Sequence, residues 1–148
     1  MTTQWILVAQ RAGAKLFQST RAGTQLELLR DIPHLVGRLQ DKDLGSDRPG
    51  RLFSNASHGT RSSTDSENTA HDHQAEVFAG ELARILDKGR TLNEYDDLVL
   101  VAEPRFLGKL QASLTRLTAG KVSRRIEKEL TKISDHELKL RLEDLLAA

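Results

Sequence analysis

Two continuous apolar runs constrain this chain more than anything else in it. They are Trp-Ile-Leu-Val-Ala at Trp5–Ala9 and Asp-Leu-Val-Leu-Val-Ala at Asp97–Ala102. Both are short, β-prone and without alternation, as expected of strands buried on both faces of a sheet. Such a sheet needs cover, and the second half of the chain supplies helical patterns. From Ala70 onward, Ala75, Phe78, Ala79, Leu82, Ile85 and Leu86 recur on one helical face. Gly89 stands where a glycine would stop that helix. Pro104 opens a second helix at its first turn, with Phe106, Leu107, Leu110, Leu114 and Leu117 on the inner side and Gly120 at its end. Ser134-Asp135-His136-Glu137 is a capping box that opens a third, which buries Leu138, Leu142, Leu145 and Leu146.

Ala14–Ser19 and Gln25–Ile32 read as two more strands, the latter ended by Pro33. Short turns at Arg11-Ala12-Gly13 and around Ala22-Gly23 join them to the first run, and Gly13 can supply a positive φ. Together they form an antiparallel meander. Val122–Ile133 fits two periods. Val122, Ile126, Leu130 and Ile133 suit a helix, whereas Val122, Arg124, Ile126, Lys128 and Leu130 suit a strand with three apolar members. The βαβα alternation favours the strand. Right-handed crossovers then set the last two strands parallel to the first. The expected fold is α/β: one domain over residues 1–148, with a five-stranded mixed sheet and three helices in a ribonuclease-H-like arrangement.

Between the halves lies a polar stretch, Gly37–Asn68, that carries no regular pattern. Thr64-Asp65-Ser66-Glu67 has capping-box spacing and places the helix start at its end. Loops beyond about 12–15 residues are uncommon in compact domains and are often functional. The positive side chains Arg38, Lys42, Arg48, Arg51 and Arg61 are offset by Asp41, Asp43, Asp47, Asp65 and Glu67. The segment therefore reads as a zwitterionic loop and not as a basic arm. Leu52 and Phe53, next to Arg51, are its apolar exception. They either tack the loop to the body or, with Arg48 and Arg51, form an anchor for a protein partner.

Composition narrows the function classes. The net charge is +1, so overall charge predicts neither nucleic-acid nor membrane binding. The absence of cysteine excludes disulfides, thiolate metal sites and cysteine nucleophiles. The N-terminus lacks a basic region, and its apolar run is too short for a signal peptide. No run approaches the roughly 18–20 apolar residues of a membrane span. A cytoplasmic location is the expectation, and Asn55-Ala56-Ser57 is then of no use as a glycosylation sequon.

Three clusters of residues bear on chemistry. A two-metal nuclease needs several converging carboxylates, one of them on the first strand. The first strand has no acid, and Glu103 stands alone at the end of the fourth. His71, Asp72 and His73 form a triplet beside His58, Asp65 and Glu67. Histidines at i and i+2 share no helix face, so a metal would require the helix to start after them. No metal and no cofactor is expected, and no catalytic residue is assigned. The third cluster is basic: Arg105, Lys109, Arg116, Lys121, Arg124, Arg125, Lys128 and Lys132 against Glu127 and Glu129, eight cations to two acids or +6. Such an excess can meet phosphates. Base-stacking aromatics are missing apart from Phe106, so sequence-specific reading of RNA is not expected.

Three segments carry a family resemblance: Trp5–Ser19, Asp96–Leu114 (DDLVLVAEPRFLGKLQASL) and Val122–Leu138 (VSRRIEKELTKISDHEL). Over nearly its whole length the chain resembles the bacterial host attachment protein family. That family is similar to the middle domain of archaeal and eukaryotic class-1 release factors and their Pelota relatives. The long stretch here holds the position of the release-factor Gly-Gly-Gln loop, but the chain has no Gly-Gly dipeptide. The resemblance therefore implies fold and a surface without the hydrolysis reaction. With the basic segment, it implies a non-catalytic, translation-related binding protein that contacts structured RNA or the ribosome. A protein partner held through the long loop is the alternative, and a metal-dependent hydrolase is the third reading.

Overall fold

The computed structural model describes residues 2–10, 13–20, 24–34, 60–130 and 133–147. Five strands form one mixed sheet: β1 (Gln4–Gln10), β2 (Gly13–Ser19), β3 (Glu27–Pro33), β4 (Asp97–Ala102) and β5 (Val122–Glu127). Their spatial order is β3-β2-β1-β4-β5. β1–β2 and β2–β3 pair antiparallel, while β1–β4 and β4–β5 pair parallel. This is the expected α/β sheet, with the ambiguous Val122 segment forming a strand. The described helices are α1 (Thr60–Thr91), α2 (Pro104–Ser113), α3 (Arg116–Ala119) and α4 (Asp135–Ala147).

Strand alternation sends successive side chains to opposite faces and so builds two cores. Trp5, Leu7, Leu16, Leu98 and Leu100 pack under α1 and α2, against Phe78, Leu82, Leu86, Phe106 and Leu110. Ile6, Val8, Phe17, Val99 and Val101 pack on the other face against Leu138 and Leu142 of α4. The two apolar runs are β1 and β4, and they are buried on both sides as their lack of alternation requires.

The structure corrects the sequence reading at five points. First, α1 starts at Thr60, so the expected loop does not extend to Asn68 and Thr64–Glu67 lie within the helix. Neither Gly nor Pro occurs from Thr60 to Ala79. Once the apolar face is docked, each further turn adds backbone bonds without a new nucleation cost. Residues 35–59, with Arg48, Arg51, Leu52 and Phe53, lie outside the described residues. Second, Gly89 does not end α1. Glu94 donates from its amide to Gly89 O at 2.8 Å and Asn93 to Arg90 O at 3.0 Å. With Asn93 at φ 56°, this is a Schellman stop made by asparagine. A Cβ on Gly89 would lie 2.5 Å from the Trp5 ring, so the glycine serves a close approach.

Third, the segment after Pro104 forms two helices, not one. The amide of Leu114 bonds Gln111 O, and Thr115 then caps α3 by accepting from the Thr118 amide. This turns Leu117 outward, 68% exposed, and Thr118 inward. The described helices are therefore four and not three. Fourth, β3 begins at Glu27 because Gln25 takes φ 53°, and Pro33 belongs to it. β3 is an edge strand, where a missing donor is tolerated. Fifth, Leu145 and Leu146 are half-buried where full burial was expected. The Ser134 capping box does form, with the Glu137 amide bonded to Ser134 Oγ at 3.1 Å.

Candidate functional site

Glu103 sits at the C-terminal end of β4, where a metalloenzyme would place a ligand. Its carboxylate instead caps α2, accepting from the Phe106 amide at 2.5 Å and the Arg105 amide at 3.1 Å. A carboxylate there satisfies two otherwise unbonded donors and suits the positive end of the helix. The His triplet lies inside α1, since that helix starts at Thr60. The helix thus does not start after the triplet, as a shared metal would require. Asp72 is engaged by Arg105 Nη2 at 3.4 Å and Lys109 Nζ at 3.8 Å. Among the described residues no group of three or more His, Cys, Asp or Glu side chains converges on one point.

The basic segment is divided by the fold. Lys109 also reaches Glu76 Oε1 at 3.7 Å, so Arg105 and Lys109 bind α2 to α1. Arg124 is structural as well. Its guanidinium donates to Leu146 O and Leu145 O, both at 3.2 Å, and closes the C-terminus of α4. A register shift between Leu98 and Val99 leaves Ser123 as an extra residue, so Val122 pairs with Leu98 but Arg124 with Val99. The bulge returns Arg124 and Ile126 to the α4 face and sends Arg125 to the other side. Lys132 lies outside the described residues. What remains is Arg116, Lys121, Arg125 and Lys128, all exposed and without an ion pair to any described carboxylate. They lie on α3 and along β5, an edge strand of the sheet, with Glu127 and Glu129 as the acids of the same stretch. Lys121 and Lys128 bracket the strand, at most roughly 23 Å apart at about 3.3 Å per residue.

Two further sites were not legible in the sequence. One is a polar knot that pins α3 to α1. Asp87 Oδ1 accepts from Thr115 Oγ1 at 2.9 Å and from Thr118 Oγ1, while Arg90 Nε donates to Thr118 Oγ1 at 2.9 Å. Beside it Tyr95 donates to Leu86 O at 2.7 Å and packs on Trp5, ring centroids 4.6 Å apart. Burial pushes the Tyr95 hydroxyl up to about 12. The other is a cleft of about 360 Å³ between α4 and the segment after β5, lined by Lys128, Glu129, Leu130, Arg141, Asp144 and Leu145. Its residues come from two elements 11 or more positions apart, and no local spacing announces it. His34 carries no sequence signal either. It is buried and stacked on Phe78, with centroids 4.3 Å apart and planes 4° apart.

No helix of the described residues is long and apolar enough to cross a membrane. Comparison with curated proteins finds no match. A solved structure described as an archaeal protein is similar at 10% sequence identity and a TM-score of 0.45. The alignment covers 97% of this chain and 36% of that one, so the chain spans about a third of that structure's length. The family described as "Protein required for attachment to host cells" matches residues 5–142, from the first residue of the β1 apolar run to Leu142 of α4. The match takes in both buried strands, both cores and the whole cationic edge, and the chain belongs to this host attachment family.

Proposed function

We propose that the chain is a non-catalytic binding protein of its family whose β5 edge meets an anionic macromolecule, structured RNA of the ribosome being the class that fits. The observation that carries this reading is the exposure of Arg116, Lys121, Arg125 and Lys128 without described acidic partners. Against Glu127 and Glu129 they leave an excess of +2, down from the +6 of the linear segment. So small an excess suits a few phosphate contacts within a large structured partner, not a free-standing nucleic-acid arm. The resemblance to release-factor middle domains read from the sequence is the ground for choosing the ribosomal class. The absence of a Gly-Gly dipeptide is the reason no hydrolysis is proposed.

Ribosome co-sedimentation tests the reading. Four phosphate contacts predict that affinity falls about 50- to 150-fold between 50 and 200 mM salt. Replacing Arg116, Lys121, Arg125 and Lys128 by Glu abolishes the association. Absence of association at low salt overturns the reading. A second reading rests on the family's description: a protein partner in attachment, captured through the polar stretch Gly37–Asn68. A pull-down from lysate separates the two. Nuclease treatment removes the partners in the first reading and leaves them in the second.

A further inference from the structure

We infer that the cleft between α4 and the end of β5 is a pocket for one unstacked nucleotide whose base carries an exocyclic amine. The inference rests on the RNA reading above and deepens it. The cleft volume of about 360 Å³ falls in the range that takes a compact organic ligand. Leu130 and Leu145 are half-buried and supply apolar surface, and Leu130 packs on the core under α4. Each wall brings one cation and one acid: Lys128 and Glu129 from the β5 side, Arg141 and Asp144 from α4. No ion pair within 4 Å joins these four charges across the space. Arg141 has a described partner, Glu137, at 3.5 Å on its own helix, and Lys128, Glu129 and Asp144 have none.

Charges of both signs line one cleft, three of them without a described partner, and suit a ligand bearing both a negative group and hydrogen-bond donors. A bare phosphate would meet Glu129 and Asp144, and an apolar ligand would leave Lys128, Glu129 and Asp144 unanswered. A nucleoside monophosphate answers all of them. Lys128 and Arg141 take the phosphate, as ammonium and guanidinium groups do. Glu129 or Asp144 accepts from the exocyclic amine, the pairing by which carboxylates select cytosine N4. The leucines cover the ribose and one edge of the base.

Cytidine and uridine monophosphates separate this from generic anion binding, because they differ at position 4 by an amine against a carbonyl. Isothermal titration of the full chain is expected to show the cytidine form binding roughly fivefold or more tightly than the uridine form. Asp144→Asn with Glu129→Gln removes that preference, and Arg141→Ala weakens both nucleotides at least fivefold. Each variant keeps the wild-type circular dichroism spectrum, since all three side chains are exposed. Equal affinity for the two nucleotides, or binding unaffected by Arg141→Ala, overturns the pocket, as does absence of cytidine monophosphate binding at millimolar concentration. The outcomes are distinguishable from those of the edge. Ribosome association that survives Arg141→Ala but not Arg125→Glu refutes the cleft and keeps the RNA reading. Selective mononucleotide binding without ribosome association does the reverse.

Discussion

Gly89 and Tyr95 show how single residues hold this fold. Gly89 lets α1 lie against the indole of Trp5, and a Cβ there would stand 2.5 and 2.6 Å from ring carbons. Gly89→Ala is therefore expected to destabilise the chain by about 1–3 kcal/mol through overpacking. Urea denaturation followed by the fluorescence of Trp5, the one tryptophan, measures it. An unchanged midpoint would show that the ring moves aside without cost. Tyr95 is buried and its hydroxyl is held to Leu86 O. Its folded value of about 12 lies above the ordinary 10, with burial as the largest cause. The unfolded chain then loses this proton first as pH rises, so stability is full below pH 10 and is lost between 10 and 12. The loss amounts to roughly 2–3 kcal/mol. Tyr95→Phe should be less stable near neutral pH by about 1 kcal/mol and should flatten this alkaline decline. At Glu103 the expectation is a cap and no reaction: Glu103→Ala costs about 1 kcal/mol in a thermal melt.

At the scale of elements, α4 covers one face of the sheet, and polar contacts hold both its ends. Lys15 Nζ on β2 reaches Asp135 Oδ1 at 2.6 Å at its start, and Arg124 caps its end. The hydrogen bond with Asp135 is the largest cause that raises the Lys15 pKa. The stability it lends is present below the unfolded value near 10.4 and lost as pH rises through the folded one. Arg124→Ala should cost about 1–3 kcal/mol, because charge-assisted bonds to two carbonyls disappear. Arg125→Ala, one residue away on the other face, should stay within about 0.5 kcal/mol. Amide exchange localises the first change to α4, and equal effects at the two positions would show that the bulge at Ser123 is misassigned. That bulge and its counterpart on β3 also explain why the edge strands were hard to read. Leu28 packs with the α4 core and Ile32 with the α1 core, although an even spacing would put them on one face. The register shift between Leu16 and Phe17 leaves Leu29 unpaired between them. A sequence pattern with period 2 carries no mark of where an extra residue enters.

For the molecule as a whole, the two cores differ in how they are closed. Among the described residues α1 and α2 share one face, and α4 stands on the other. A chain ending at residue 133 leaves Ile6, Val8, Phe17, Val99 and Val101 uncovered. It should bind a hydrophobic dye and lose cooperative thermal unfolding; a sharp transition in that truncation would mean that α4 is dispensable. Leu142→Ala, a milder form of the same test, should cost about 2–5 kcal/mol, and Leu117→Ala close to none. The α/β class, the five strands, their mixed pairing and the inward face of α1 were legible in the sequence, because burial on two faces and burial on one leave different periods in the residues. So was the Ser134 cap, whose bonds run between neighbours. The site was much less legible. A linear count treats Arg105, Lys109, Arg124 and Arg125 as one basic segment, and it cannot see Asp72, Glu76 and the α4 carbonyls that engage three of them. Only the tertiary structure decided which cations stay free, because ion pairing and capping depend on residues brought together from 20 or more positions away. By itself the sequence determined the elements and their layering, whose causes are local periodicity and burial. The surface that the protein offers to a partner was decided in three dimensions.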